Sequence, residues 1–214
     1  MWTIFLVFLV FTQVHADFND EASHIFQSLV AQKCENQTEQ KQFDYCYDMF
    51  EDTLSRQIPT LNGSELLLMS LVHNQLVWLD WCIRDAQCLP HVQLKFILQG
   101  NAYSIEKLYL LKSNKCTKRA DVPHVAKNCS DHYTSLKSDD DDEFVAMYHH
   151  RDDIVHCIVN ALNVFPECDE FSRQQIAAAG YSMIDVLAAF SPEINKDNVF
   201  VFDRFKYENI TLAM

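Results

Sequence analysis

SELLLMSLVHNQLVWLDWCIR, residues 64 to 84, decides the fold. It follows an Asn62-Gly63 turn signal, opens on Ser64, and contains no proline or glycine to end a helix. Its apolar residues cover a broad face, while Ser70, His73, Asn74, Asp80 and Arg84 gather on a narrow stripe. The pattern predicts a long central helix buried on most sides. Polar residues interrupt it too often for a membrane span.

The neighbouring segments share this character. Phe43, Cys46, Met49 or Phe50, and Leu54 recur at helical spacing, and Pro59 then Asn62-Gly63 end that element. Pro90 opens a helix expected to stop at Gly100, and a short one follows through Leu108, Leu110 and Leu111 to Lys112. Lys112, Lys115, Lys118 and Arg119 suit a helix end. The acidic run Ser138-Asp-Asp-Asp-Asp-Glu143 reads as a loop before the next helix. Phe144, Met147, Tyr148, Ile154, Val155, Ile158, Leu162 and Phe165 line one face of that helix. Pro166, Glu167, Asp169 and Glu170 start the last long helix, which stops before Ser191-Pro192. Within it, Ile176-Ala-Ala-Ala-Gly180 offers small side chains for close helix approach. Three glycines and five prolines in 214 residues are too few for the turns of a sandwich or barrel, so the expected fold is an all-α, disulfide-stapled helical bundle.

Residues 1–16, MWTIFLVFLVFTQVHA, are uncharged, too short to cross a bilayer comfortably, and end on Val14-His15-Ala16, a peptidase-like site. They read as a cleaved secretory signal, which makes the chain secreted and extracellular. Residues 17–192 then form a disulfide-rich helical domain and 193–214 a Phe-rich C-terminal segment. In that segment Val199-Phe-Val-Phe202 and Phe205 are too apolar for a free tail, and a short strand and a packed last turn both fit. A formal net charge of -13 without a basic stripe argues against nucleic acid and anionic lipid surfaces.

Eight cysteines, Cys34, Cys46, Cys82, Cys88, Cys116, Cys129, Cys157 and Cys168, predict four disulfides, with the pairing left open. There is no C-x-x-C and no paired short-spaced Cys/His knuckle, so they read as staples rather than ligands. They fall into two similar sets of four. Cys34-x11-Cys46 resembles Cys116-x12-Cys129, and Trp81-Cys82-Ile83 through Cys88 resembles His156-Cys157-Ile158 through Cys168. A duplicated four-cysteine helical unit accounts for this, as does coincidence among helices that each need a staple. Sequons at Asn36, Asn62, Asn128 and Asn209 are candidate glycosylation sites, Asn62 the best placed because it sits in a turn.

His149, Asp153, His156 and Asn160 recur at steps of four, three and four. On a helix that makes one stripe, where His149, Asp153 and His156 form a candidate metal or acid-base set, or simply a solvated face. The acidic run lacks the ligand alternation and glycine of an EF-hand. His73 and Asp80 stand two turns apart, too far for a direct pair. No G-x-S-x-G, H-E-x-x-H or phosphate loop occurs, Cys129-Ser-Asp-His132 stands alone without a phospholipase pattern, and an even cysteine count leaves no thiol nucleophile. No catalytic residue and no cofactor are expected. Trp78, Trp81, Tyr103 and Tyr109 could line an apolar pocket, although aromatics so spaced also serve as core.

A cysteine before Phe43-Asp-Tyr-Cys46-Tyr, a Leu-rich helix ending in Trp81-Cys82-x5-Cys88, and then Cys116, Cys129, Cys157 and Cys168 resemble the expanded nematode family of secreted eight-cysteine domains of unknown function, over residues 34 to about 190. That family has no assigned activity, so the resemblance carries no site residue. The expectation is a secreted non-enzymatic helical module binding an extracellular macromolecule or small ligand. The alternatives are an extracellular carrier of small apolar molecules and, third, a metal-dependent secreted enzyme.

Overall fold

The computed structural model describes residues 27–111, 115–119, 121–136, 143–191, 194 and 200–208. Residues 1–16, read in the sequence as a secretory signal, and Asp139–Asp142 and Asn209 lie outside them. The described residues are helical without a strand, and they divide into two compact units. Unit one runs to Ala102 and includes Phe200–Phe202; unit two holds the rest from Tyr103 onward.

In unit one, α1 spans Gln37–Gln57. Asn36 starts it, its Oδ1 accepting from the amides of Thr38 and Glu39 at 3.1 and 3.3 Å. A 3-10 turn, Ile58–Leu61, follows, and then Asn62 and Gly63 at φ 49° and 74°, a left-handed conformation that asparagine and glycine tolerate best. The chain reverses there into α2, Glu65–Cys82, capped by Ser64. α2 returns along α1, where Gln42 Nε2 donates to the Cys82 carbonyl at 2.9 Å. Phe43, Phe50 and Leu54 of α1 and Val72, Leu76 and Leu79 of α2 are buried, as are Leu94, Ile97 and Leu98 of α3, Leu89–Leu111. Phe200 and Phe202 pack on Phe96 with ring centroids 6.0 and 6.2 Å away.

Unit two is built from α4 (Lys115–Arg119), α5 (Val122–Thr134), α6 (Glu143–His149), α7 (Arg151–Leu162), α8 (Glu170–Ala188) and α9 (Arg204–Glu208), with the end of α3. α8 packs against α6 and α7, with Ile176, Ala177, Ala178 and Ala179 buried. A methyl group added at Gly180 would meet Val155 Cγ2 at 3.4 Å, so the small residues do permit the close approach of α8 to α7. α9 is held from below by one carboxylate. Asp185, with only 5% of its side chain exposed, accepts from Arg151 Nη1 at 2.7 Å, Lys206 Nζ at 2.7 Å and Tyr207 Oη at 2.8 Å. Burial, and then the Asp185 charge, push the Tyr207 hydroxyl well above its ordinary pKa, so it remains a donor.

Three sequence expectations need correction. α3 runs through Gly100, which is buried within it; packing offsets the roughly 1 kcal/mol that an internal glycine costs. The helix expected from Phe144 to Phe165 is broken at His150, whose φ of -96° and ψ of 16° start a new helix and turn Arg151 toward Asp185. α2 is not buried on most sides: Leu66, Leu67, Val77 and Trp81 face solvent. The Phe-rich segment forms no strand among its described residues, but a buried contact at Phe200 followed by the helical turn α9.

Four disulfides join Cys34–Cys88, Cys46–Cys82, Cys116–Cys168 and Cys129–Cys157, with Cα–Cα distances of 5.9, 6.0, 4.5 and 5.8 Å. Within each set of four, first pairs with fourth and second with third. In both units a cysteine precedes a helix carrying the second, the next cysteine lies on a returning helix, and the last stands just before a further helix. The two sets of four are thus nested alike, an outer link spanning an inner one. Because each inner link closes most of the loop first, the outer one constrains only the roughly 20 residues left, worth about 3 kcal/mol.

Proteolysis of the unreduced protein should release peptides joined only in these four pairings, as mass spectrometry of the fragments will show. Asp185→Ala leaves Lys206 without this counter-charge and Arg151 with only the longer 3.5 Å pair to Asp152, and should lower stability by about 3 kcal/mol, read as a lower urea midpoint.

Candidate functional site

The most organised polar cluster lies in unit one, where the outer disulfide brings the start of α1 beside the start of α3. Residues 32–36 are not helical, so Cys34 sits on a loop; its amide donates to Gln40 Oε1 at 2.6 Å. Cys88 immediately precedes α3, whose first turn contributes His91. Glu39, in the first turn of α1, reaches across. Its Oε1 accepts from the amides of Gln87 and Cys88 at 3.0 and 2.9 Å and lies 2.9 Å from His91 Nδ1. Glu39 therefore caps α3 from another helix.

Burial alone would raise the Glu39 carboxyl, but the Cys88 amide, His91 and the Gln87 amide together outweigh it and hold the carboxyl below its usual pKa. Facing an ionised carboxylate, Nδ1 is the ring nitrogen that carries hydrogen and donates to Glu39. The His91 ring is stacked on Phe43, with centroids 4.1 Å apart, and the residue is 1% exposed. Nε2 is buried and has no hydrogen-bond partner. A cleft of about 200 Å³ adjoins the pair, lined by Asn36, Gln42, Asp85, Gln87 and His91 among others.

Unit two shows that this arrangement exceeds what capping requires. Five residues after Cys116 stands Asp121, which caps its own helix by accepting from the His124 amide at 3.3 Å. α8, the helix after Cys168, is capped by adjacent Asp169, which accepts from the Ser172 amide at 2.8 Å. Three residues after Cys168 stands exposed Phe171 rather than a histidine. One local aspartate does there what takes Glu39 and His91 in unit one.

The stripe singled out in the sequence is not gathered. His149 ends α6, exposed, while Asp153 and His156 belong to α7. Asp153 Oδ2 lies 3.4 Å from His150 Nδ1, and His156 Nδ1 is 2.8 Å from the Asp152 carbonyl. The break at His150 separates what an unbroken helix would have aligned. Asn160 is exposed. Among the described residues, the group of His, Cys, Asp and Glu whose ligand atoms lie within 4.8 Å of one another is Cys34, Glu39, Cys88 and His91. Its sequence signal was Cys88-Leu-Pro-His91, a Cys-x-x-His spacing standing singly, with Glu39 five residues after Cys34. Neither looks notable until the Cys34–Cys88 link is known.

Asn36, Asn62 and Asn128 are exposed; Asn36 uses Oδ1 as a cap, and Asn128 Nδ2 is 3.1 Å from His124 Nε2. Of the four aromatics, Trp78 is half-buried, Tyr103 buried, and Trp81 and Tyr109 exposed. Asp80 is half-buried, and burial raises its carboxyl, offset only in part by Gln99 and Lys95. A second cleft, of about 280 Å³ in unit two, is lined by Tyr103, Lys107, Gln174, Gln175, Tyr207 and Glu208 among others. Its charges are matched: Lys107 Nζ lies 3.5 Å from Glu208, which Arg204 also holds at 2.7 Å.

Glu39→Gln keeps an oxygen for α3 but loses the charge. Since the folded-state pKa is depressed, the stabilisation is present above about pH 4.3 and lost as pH falls through the folded value. The variant should therefore unfold at a lower urea concentration than the wild type at pH 7, with the gap narrowing as pH falls below about 4.3.

No family model matches the chain, no curated protein matches it, and no solved structure matches its fold.

Proposed function

We propose that the chain is a secreted, non-enzymatic helical module that docks another extracellular macromolecule through the outer face of the α1–α2 pair. The observation that carries this reading is the exposure of Tyr45 and Trp81, 62% and 61%, on a helix pair whose opposite side is packed. Cys46 and Cys82 face each other across the pair. In antiparallel helices, the residues one step before two facing positions point to the same side. Tyr45 and Trp81 thus stand together, and Met49 and Val77, one turn along each helix, extend the patch. The Arg84 guanidinium lies 5.4 Å from the Trp81 ring centroid. Aromatic side chains flanked by arginine are what the centres of protein interfaces are enriched in, and exposed apolar patches of this kind mark interaction sites.

Secretion is supported by four disulfides with no free cysteine, by exposed sequons at Asn36, Asn62 and Asn128, and by the absence, among the described residues, of any helix long and apolar enough to cross a membrane. The order of the eight cysteines is what supports a place in the expanded nematode family of secreted eight-cysteine domains.

A photo-crosslinking side chain at position 81 or 45, exposed to extracellular fluid of the source, should join one and the same macromolecule. The same label at Leu136, an exposed apolar residue of unit two, should not join it. The Trp81→Ser, Tyr45→Ser double variant should bind that macromolecule at least about thirtyfold more weakly at an unchanged melting temperature. Equal labelling from position 136, or unchanged affinity in the double variant, overturns the proposal.

A further inference from the structure

Cys34, Cys88, Glu39 and His91 are together because the outer disulfide and the Glu39 cap put them together, yet their donor atoms also make a metal-ligand set. We propose that Cys34–Cys88 is a reducible link whose opened form holds one zinc ion through the two sulfurs, His91 and Glu39.

The donor chemistry selects the ion. Two thiolates with an imidazole and a carboxylate suit zinc and disfavour calcium and magnesium, which take oxygen ligands. The geometry is close to what zinc needs. Zinc–sulfur bonds of about 2.3 Å in a tetrahedron place two sulfurs roughly 3.8 Å apart, so opening the link moves them by less than about 2 Å. All four donors are already within 4.8 Å of one another. Cys34 can make the adjustment because it stands on the 32–36 loop rather than within a helix.

The surroundings are ordered before any ion arrives. The Cys34 amide is tied to Gln40, Glu39 to two amides of the α3 start, and the His91 ring to Phe43. The His91 ring, 1% exposed, meets the set through Nδ1, 2.9 Å from Glu39 Oε1, while its other nitrogen, Nε2, is buried without a partner.

The reaction balances without a cofactor. A dithiol gives two electrons and two protons and leaves as its own cyclic disulfide; the Cys34–Cys88 sulfur–sulfur bond breaks to two thiols. Zinc then displaces both thiol protons to solvent. Unit two supplies an internal control, because Cys116 and Cys168 have Asp121 turned to its own helix and Phe171 where unit one has His91.

The test titrates the full secreted chain, with all four disulfides formed, with a water-soluble phosphine in the presence of one equivalent of zinc, and follows it by native mass spectrometry. The first species reduced by two electrons should carry one zinc ion. Chelation followed by alkylation should then label Cys34 and Cys88 alone. Cobalt in place of zinc should give the sulfur-to-metal charge-transfer absorption of thiolate ligation. His91→Phe keeps the ring on Phe43 but removes the nitrogen, and should weaken zinc binding at least about a hundredfold in the same reduced species. Glu39→Gln should weaken it about tenfold or more, which keeps the test valid if the first variant does not fold. A metal-free two-electron species, first labelling at Cys116 and Cys168, or unaltered zinc affinity in the variant that folds overturns the proposal.

Discussion

Nested disulfide closure is the constraint on which each unit depends. The inner link fixes the register of two helices, Cys46 against Cys82 in one unit and Cys129 against Cys157 in the other. With that register set, the outer link decides what stands at the mouth. In unit one it places the first turns of α1 and α3 side by side, bringing two positive helix ends together. Glu39 answers both: it lies in the first turn of its own helix and accepts from the amides at the start of the other. One carboxylate thereby serves two helix termini, and His91 is drawn in as a third donor to the same oxygen.

Unit two solves the same problem locally, with Asp121 and Asp169 each capping its own helix, and places its shared charge elsewhere. Asp185 collects donors from α7 and α9 deep in that unit, where an ionised carboxylate is tolerable only because three donors surround it. The two units share their covalent pattern and differ in where the buried charge sits.

The all-α class was legible because residues 64–84 and the Phe43–Leu54 pattern repeat at helical spacing and glycine and proline are scarce. The two cysteine sets were legible too, but not their pairing, since spacing does not say which helices face each other. Gly100 and His150 misled for the same reason: whether a helix passes a weak residue or stops at an ordinary one depends on partners such as Asp185, tens of residues away. The Glu39–His91 site was hidden because its members lie 52 residues apart and meet only once Cys34 and Cys88 are joined. The stripe from His149 to Asn160 was visible because it is local, and locality is a poor guide to a site built by long-range closure.

The Asp185 cluster also sets an order of events in biosynthesis. Arg151 precedes Asp185 in the chain, but Lys206 and Tyr207 follow it by 21 and 22 residues. While those residues are still within the ribosome, α8 can pack its alanine and glycine face, yet its carboxylate has only one of its three donors. Burial of Asp185 is then incomplete, and the unit stays open to water at that point until α9 emerges. Completion of unit two therefore waits for α9, and until residues 204–208 dock, the Asp185 carboxylate keeps one of its three donors.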